Sequence, residues 1–360
     1  MKVKACLNHL TRKSYVSLEP IDKRGELLDC SLGSNLFGVS PRVLDAAKEY
    51  DWSGVWRYPD PAYLDLKEKI SRFWAEYADL DKRQIQIANG AMIVLERVNK
   101  IFIESGAKVL GYSPQFTEYG TDVEACGGRY EAVILEPGER FKFHVERLLA
   151  RISEDYSLVY IDNPNNPTGQ VISLGQIEEI IRQANKKGVV VIIDEAYGDF
   201  IGKEKSAVNL IDKYANLIVV RSFSKGFGLA SLRIGYGIFP GELASYYEKI
   251  DIPFPVSQVS CFLAAEALLD EDFILNCRKM VEREKTKLIA GLEEKGFFVS
   301  ETFKSCPIFV LGHSDGEVSL KTRLLSRGIL TESGGDFRNL GDKYVRVNTP
   351  PSVERFLACL

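Results

Sequence analysis

Three short polar segments each follow an apolar run that is typical of a buried strand. They cover residues 163–169 (NPNNPTG), 194–197 (DEAY) and 222–225 (SFSK). In an open α/β sheet the carboxyl ends of the parallel strands form the edge at which ligands bind, so we expect these segments to meet there. Taken singly, each has a plainer interpretation as an ordinary turn cluster, a helix cap or a solvated lysine.

Two of the segments supply a carboxylate and a lysine about 30 residues apart, Asp194 and Lys225. A lysine amine forms a Schiff base with the aldehyde of pyridoxal phosphate, and a carboxylate keeps the pyridine nitrogen of that cofactor protonated. The charged ring then accepts electrons from a substrate carbon. Because burial favours the neutral forms of both side chains, each needs the ion that it meets. Together, the three segments predict a pyridoxal phosphate site.

The strands that position these segments are predicted from continuous apolar runs, which are typical of strands buried on both faces of a parallel sheet. The runs occupy residues 108–112, 157–161, 189–193 and 217–220. Between the second and third runs, a capping box at residues 173–176 (SLGQ) predicts the start of a helix. Strand, helix and strand in this order indicate a right-handed crossover and an α/β architecture.

Three further helices are predicted before the first of these strands. A Ser-Pro pair at residues 40–41 suits an N-cap and a first helical position, and this helix should run to about residue 50. An Asp-Pro pair at residues 60–61 likewise places a capping residue before proline and predicts the start of a second helix. A third helix should follow Gly90 over residues 91–104.

The pattern changes after about residue 253, where a long helix is predicted over residues 273–295 and short strands follow it. We expect those strands at residues 297–299, 308–311 and 344–347. The chain should therefore form three parts. These are an N-terminal arm at residues 1–40 that packs on the small domain, a large cofactor-binding domain at 41–253, and a smaller α+β domain at 254–360.

Composition excludes several classes of protein. The 360 residues are 45% apolar and 27% charged, as in an ordinary globular chain. A net charge of −4 gives no basic excess of the kind that nucleic-acid binding needs. The longest apolar runs are far shorter than the ~20 residues that span a bilayer. Three distant histidines and seven cysteines without a CxxC spacing argue against a metal site and predict a reduced, cytoplasmic protein.

The ordered set of motifs resembles the fold-type I aminotransferases, and within them the histidinol-phosphate aminotransferase and threonine-phosphate decarboxylase branch. The set comprises NPNNPTG, DEAY, SFSK and the sequence SLRIGY around Arg233. It extends from residues 34–35 (SN) to residues 345–347 (VRV). The resemblance implies an α/β fold with a mostly parallel seven-stranded sheet between helices in the large domain, and a smaller C-terminal α+β domain.

The resemblance also implies how the cofactor would be held. Lys225 would form the Schiff base and then move a proton between the substrate and the cofactor, Asp194 would pair with the pyridinium, and Tyr197 would bond the ring oxygen. The other implied cofactor contacts are the ring stacking of Phe116, a hydrogen bond from Asn166, and phosphate contacts from Ser222, Ser224, Arg233 and the backbone of Gly90, Ala91 and Met92. Phe116 also has a plainer interpretation as a core residue.

On the substrate side, the resemblance implies that Arg346 clamps a carboxylate and that Asn35 and Asn166 contact the substrate, a small amino-acid-like molecule. A guanidinium fork suits a planar acid. Tyr58 matches a tyrosine that reaches the cofactor phosphate of a neighbouring subunit, which implies a homodimer with shared sites. We expect no nucleic-acid or membrane partner.

Three functions remain open, two of them enzymatic. The phosphate loop has the sequence ANGAMI at residues 88–93, where the family usually has GNGSDE, and the segment after Arg346 also departs from the family pattern. Transamination is predicted, on a histidinol-phosphate-like substrate in amino-acid biosynthesis, because aminotransferases dominate the family. A threonine-phosphate decarboxylase is the alternative, since the bond that breaks depends on how the substrate is oriented. A non-catalytic ligand-binding member is a third, which the presence of both Lys225 and Asp194 disfavours.

Overall fold

The fold is seen in a computed structural model, which describes residues 2–11, 14, 27–313 and 319–360. Its helices are α1 (Pro41–Glu49), α2 (Leu64–Trp74), α3 (Ala91–Phe102), α4 (Thr117–Ala125), α5 (Val145–Leu149), α6 (Leu174–Asn185), α7 (Gly241–Ile250), α8 (Gln258–Ala267), α9 (Glu271–Glu294), α10 (Leu320–Leu325) and α11 (Val353–Ala358).

The strands alternate with these helices along most of the chain. They are β1 (Leu28–Asp29), β2 (Ile85–Ala88), β3 (Lys108–Ser113), β4 (Arg129–Ile134), β5 (Tyr156–Asp162), β6 (Val190–Glu195), β7 (Leu217–Ser222), β8 (Gly235–Ile238), β9 (Phe298–Val299), β10 (Ile308–Gly312), β11 (Ile329–Leu330), β12 (Glu332–Ser333) and β13 (Tyr344–Asn348).

Seven strands form one large sheet in the order β2, β8, β7, β6, β5, β3, β4. β8 is antiparallel to both of its neighbours, and the other pairs are parallel. Helices cover both faces. In β6, Val191 and Ile193 pack in the core layer that contains α2, α6 and α8, while Ile192 packs in the layer that contains α3, α4 and α7. The predicted fold, a mostly parallel seven-stranded sheet between helices, is confirmed.

A smaller antiparallel sheet lies in the C-terminal part of the chain, in the order β12, β13, β10, β9. On one side its apolar residues pack with Leu288 and Leu292 of α9 and Phe356 of α11. β1 pairs in parallel with β11, so the chain before α1 contacts this C-terminal region. α8, which follows the predicted limit at residue 253, packs against α1 and α2. The three domain limits stay predictions, and residues 1, 12–13 and 15–26 of the predicted arm lie outside the described residues.

Most predicted elements form close to their expected bounds, but the helix predicted at Asp60 begins only at Leu64, so that prediction is wrong. The Asp60 carboxylate instead accepts hydrogen bonds from the backbone N–H groups of Ala62 (3.0 Å) and Leu64 (2.8 Å) and closes a turn before the helix. Tyr63 has a left-handed φ of 51°. Its hydroxyl donates a hydrogen bond to the Val256 carbonyl and accepts one from the Val256 N–H, both at 3.1 Å. This tertiary contact holds Tyr63 in a conformation that delays the start of the helix.

Strands β2, β4 and β8 were not predicted. β8 has the sequence GYGI, and glycine is depleted in strands because it has no side chain to pack. Gly235 is required by close packing, since a Cβ there would lie 2.7 Å from the backbone nitrogen of Ala91. The glycine therefore lets the first residue of α3 approach the sheet edge.

One buried lysine fastens α9 to the segment that leads into β10. Lys285 is completely buried and donates hydrogen bonds to the carbonyl oxygens of Phe303 (3.0 Å), Cys306 (2.7 Å) and Ile308 (3.0 Å). The Phe303 N–H in turn donates to the Gly169 carbonyl at 2.9 Å. The small sheet is thus tied to the NPNNPTG loop.

Two features are absent from the part of the chain that the structure describes. No helix there is both long and apolar enough to span a lipid bilayer. Within the same ranges, no three or more histidine, cysteine, aspartate or glutamate side chains are grouped as metal ligands would be.

Candidate active site

A cavity of about 290 Å³ lies at the carboxyl ends of β5, β6 and β7. All three motif segments reach it, as the sequence predicted from the position of each segment after a buried strand. The predicted site residues in its lining are Ala91, Met92, Phe116, Asn166, Asp194, Tyr197, Ser222, Ser224, Lys225 and Arg233.

Lys225 follows β7 and places its ammonium group 5.2 Å from the centroid of the Tyr197 ring. The lysine is partly exposed because it opens into the cavity. Removal of water by the surrounding side chains, together with the nearby positive charges of Arg346 and Arg233, lowers its pKa to about 7. An amine in this state can act as a nucleophile and exchange protons near neutral pH.

Asp194 lies near the carboxyl end of β6, in the lining of the cavity, and is 4% exposed. Its Oδ2 accepts a hydrogen bond from the Tyr160 hydroxyl (2.8 Å) and its Oδ1 accepts one from the Ala196 N–H (2.9 Å). Burial, together with the nearby charge of Asp162, raises the pKa of Asp194 to about 7. A carboxylate that has lost this much hydration is stabilised by a cation placed against it.

Asp162 is a site residue that the sequence analysis missed. It lines the cavity beside Asp194, its partner in the β5–β6 register. Its carboxylate accepts hydrogen bonds from Tyr112, Gln115 and Asn165 and from the backbone of Asn166, at 2.8 to 3.0 Å. The signal was its position directly before NPNNPTG at the end of an apolar run. Asp162 therefore fixes the loop that carries Asn166.

An anion-binding end is built from the start of α3 and from Arg233. Gly90 has a φ of 94°, and a Cβ there would lie 2.9 Å from Nη2 of Arg233, so glycine lets the guanidinium approach the helix start. Arg233 donates to the Ala230 carbonyl (2.9 Å) and to Oγ of Ser224 (3.4 Å). A helix N-terminus presents unpaired N–H groups and a partial positive charge. With Ser222 and Ser224 in the same lining, this end has the donors that a phosphate needs.

Arg346 is completely buried on β13 and reaches the NPNNPTG loop. Its Nη1 donates to Oδ1 of Asn166 (2.9 Å) and its Nη2 donates to the Ser31 carbonyl (2.8 Å). Since the oxygen of the Asn166 amide accepts from arginine, its NH₂ group is the one oriented to donate elsewhere. The structure thus brings Arg346 and Asn166 together, although they are 180 residues apart in the chain.

Asn35 and Tyr58 lie outside the cavity lining. The Asn35 amide donates to the Gly226 carbonyl at 2.8 Å, and its oxygen accepts from the Phe37 N–H at 3.0 Å. It therefore ties the loop before α1 to the residue after Lys225. Tyr58 is 81% exposed and stacks on Phe254 with 4.7 Å between ring centroids. The substrate contact of Asn35 and the intersubunit role of Tyr58 stay predictions.

These residues fit pyridoxal phosphate. Arg233, two serines and the start of α3 form an anion site at one end of the cavity, a carboxylate lies buried in its wall, and a lysine amine opens into it. This is the donor and acceptor set that holds the phosphate, the ring nitrogen and the aldehyde of the cofactor.

Comparison with known proteins agrees with this geometry. The family model for aminotransferase class I and II matches residues 26–355. A histidinol-phosphate aminotransferase of Lactiplantibacillus plantarum is 30% identical over 311 residues, which are 86% of this chain and 85% of that protein.

Two solved structures share the fold. The histidinol-phosphate aminotransferase of Clostridium acetobutylicum superposes with a TM-score of 0.83 at 25% identity and covers 93% of this chain and 98% of its own. That of Sinorhizobium meliloti, a complex with pyridoxal-5'-phosphate, has a TM-score of 0.79 at 24% identity and covers 93% of this chain and 89% of its own.

Proposed function

The chain belongs to the class I and II aminotransferases, and we propose that it transfers the amino group of histidinol phosphate, or of a closely similar amino acid or amino-alcohol phosphate, to an oxo acid. Its cofactor is pyridoxal phosphate. The observation that carries the proposal is the meeting of Lys225, Asp194 and the anion site around Arg233 in one cavity. The curated relative from Lactiplantibacillus plantarum supports the choice of substrate.

Each residue of the cavity would have a distinct role in the reaction. When bound, the cofactor supplies an aldehyde that takes up the amino group and a ring that withdraws electrons from the substrate carbon. Lys225 Nζ, with a pKa lowered to about 7, would take the proton from that carbon and return it to the cofactor. The Asp194 carboxylate would hold a proton on the ring nitrogen. Tyr197 and Asn166 would hold the ring oxygen, and Phe116 would stack on the ring.

Product analysis tests this choice of reaction. The cofactor-loaded protein is incubated with 2-oxoglutarate and either histidinol phosphate or threonine phosphate. We expect glutamate from histidinol phosphate, with no carbon dioxide from either donor. Release of carbon dioxide from threonine phosphate without glutamate would identify a decarboxylase. If neither glutamate nor carbon dioxide forms, the ligand-binding interpretation is favoured instead.

We also propose that two copies of the chain form a homodimer in which each completes the other's site. Several large apolar side chains around Tyr58 are exposed. Monomeric proteins rarely leave such an apolar cluster exposed to water. Its members are Trp52, Val55, Trp56, Tyr58, Ile252 and Phe254, which are 37–81% exposed. A second copy of the chain would cover this apolar cluster, and Tyr58 of the first copy would then reach the cofactor phosphate bound by the second.

Charge placed in the apolar cluster should separate the subunits. We expect Trp56→Glu to sediment as a monomer and the unaltered chain to sediment as a dimer. Leu275→Glu is the control, because it places the same charge on an exposed apolar residue (44% exposed) of α9, outside the apolar cluster. Tyr58→Phe should stay dimeric and weaken pyridoxal phosphate binding on the order of tenfold, as the loss of one hydrogen bond to a charged group would. Unchanged cofactor affinity would show that Tyr58 does not reach the phosphate.

The cytoplasm stays the predicted location. All seven cysteines lie among the described residues and none forms a disulfide, which supports a reducing compartment. A small amino-acid-like substrate and a second copy of the chain are the partners that the site and the apolar cluster support.

A further inference from the structure

A glycine in the segment before α1 makes room for the tyrosine of the site. A Cβ atom built on Gly33 would overlap the Tyr197 hydroxyl oxygen and would lie 2.8 Å from the ring carbon that bears it. The two carbon atoms alone would need about 3.5 Å between them. The backbone of Gly33 lies outside the left-handed region, so the close approach of the tyrosine, and not backbone freedom, requires glycine there.

The segment that contains Gly33 is held by the end of β13. The side-chain amide of Asn348, which is completely buried, donates to the carbonyl oxygens of Leu32 and Ser34, both at 3.0 Å. These two bonds bracket Gly33. The backbone N–H of Asn348 also donates, at 2.9 Å, to the carbonyl three residues before Gly33. Together, the three bonds hold the segment against movement away from the tyrosine.

The tyrosine is confined on its other side. Tyr197 is 3% exposed, and its ring packs in a small core formed by four other side chains, namely Phe200, Val281, Cys306 and Ile308. Because the ring and the segment are both packed, a methyl group at position 33 would have to be accommodated mainly by the hydroxyl. The hydroxyl would move on the order of 2 Å to reach ordinary van der Waals contact.

We propose that Gly33 is a positioning residue, which leaves empty the space that a Cβ atom would fill and so lets the Tyr197 hydroxyl donate to the ring oxygen of bound pyridoxal phosphate. The inference rests on the role of Tyr197 in the proposed function. Gly33 acts only through the tyrosine, since its neighbours Leu32 and Ser34 line the cavity and Gly33 does not. An O–H···O bond spans about 2.5–3.0 Å, so a displacement on the order of 2 Å would break it.

Loss of this hydrogen bond would be visible in the spectrum of the bound cofactor. Donation to the ring oxygen stabilises its negative charge, which otherwise helps to keep the lysine-bound nitrogen protonated. Without the bond, the pKa of the lysine-bound cofactor should rise by about one to two pH units. The charged groups that act on Lys225 are Arg346, Arg233, Asp194 and Glu118, and a substitution at position 33 removes none of them.

The test is a pH titration of the visible absorption spectrum of the cofactor-loaded protein, which needs no turnover. The midpoint for Gly33→Ala should lie about one to two pH units above that of the unaltered chain. Tyr197→Phe, which lacks the hydroxyl, should show a rise of the same size. Gly33→Ala added to Tyr197→Phe should cause no further rise, because two residues that act through one contact are not additive.

Gly175→Ala is the matched control and should not move the midpoint. It adds the same methyl group to the start of α6, where no described atom outside that helix lies within 4 Å. A raised midpoint in Tyr197→Phe with an unchanged one in Gly33→Ala would overturn the inference while the proposed function stands. A further rise in the double variant would overturn it as well.

Two other outcomes are also decisive. An unchanged midpoint in Tyr197→Phe would show that the hydroxyl does not hold the ring oxygen, and the inference would fail together with that role of Tyr197. If Gly33→Ala does not fold, the double variant with Tyr197→Ala should fold again, because the ring that the methyl group meets is then gone. Failure of that double variant to fold would show that contact with Tyr197 is not what requires glycine, and would overturn the inference.

Discussion

Lys225→Ala is expected to lose amino transfer by at least about 10³-fold while the protein still folds and binds pyridoxal phosphate. The lysine is the amine that opens into the cavity between Tyr197 and Arg233. Its pKa near 7 lets it release and take up a proton at neutral pH. Without it, the proton on the substrate carbon has no acceptor held in place. Steady-state rates with histidinol phosphate and 2-oxoglutarate measure the effect.

A lowered pKa alone does not identify the catalytic lysine. Burial also lowers the pKa of Lys285 to about 7, but that amine is enclosed by backbone carbonyl groups away from the cavity. The geometry therefore separates the two. Added methylamine should restore part of the activity of Lys225→Ala, because a small amine can enter the space that the side chain leaves. Near-normal turnover without added amine would contradict the assignment.

Asp194→Asn should lower kcat/KM on the order of 10³-fold, since the amide cannot hold a proton on the ring nitrogen as a carboxylate does. The Tyr160 hydroxyl would remain able to donate to the asparagine oxygen, so the local structure should survive. Asp155→Asn, near the other end of β5, removes a carboxylate from an exposed position and is the control. A rate within about threefold of the unaltered chain would show that Asp194 does not face the ring nitrogen.

Although it lowers the rate, Asp194→Asn should increase the stability of the cofactor-free protein at high pH. Burial raises the pKa of Asp194 from 3.8 to about 7, so the folded state binds this proton more tightly than the unfolded state does. The contribution of this bound proton to the free energy of unfolding is fully present below about pH 4 and is lost as the pH rises through about 7. Asp194→Asn lacks that loss and should be more stable than the unaltered chain at pH 8, by about 1–4 kcal/mol. Urea unfolding of both cofactor-free proteins at pH 5 and pH 8 measures the difference.

The large sheet and the centre of the site could be predicted because their signals are local. Apolar runs marked β3, β5, β6 and β7, and each polar segment directly after a run had to lie at the same sheet edge. The chemistry of Asp194 and Lys225 then followed from residue type. β8 was missed because its packing depends on Gly235 contacting α3, which no local pattern shows.

The substrate side could not be predicted to the same depth because its contacts join distant parts of the chain. Arg346 meets Asn166 only when the small sheet packs on the NPNNPTG loop. The turn at Asp60 likewise depends on Tyr63 bonding to Val256.

The visible absorption spectrum of the cofactor-loaded protein during addition of histidinol phosphate tests the central claim most directly, because it reports amino transfer to the cofactor without a second substrate. We predict that the band of the lysine-bound cofactor disappears, that the band of its amine form replaces it, and that 2-oxoglutarate reverses the change. Lys225→Ala should show neither conversion. An unaltered chain that binds the cofactor but keeps its spectrum through the whole titration would contradict the account.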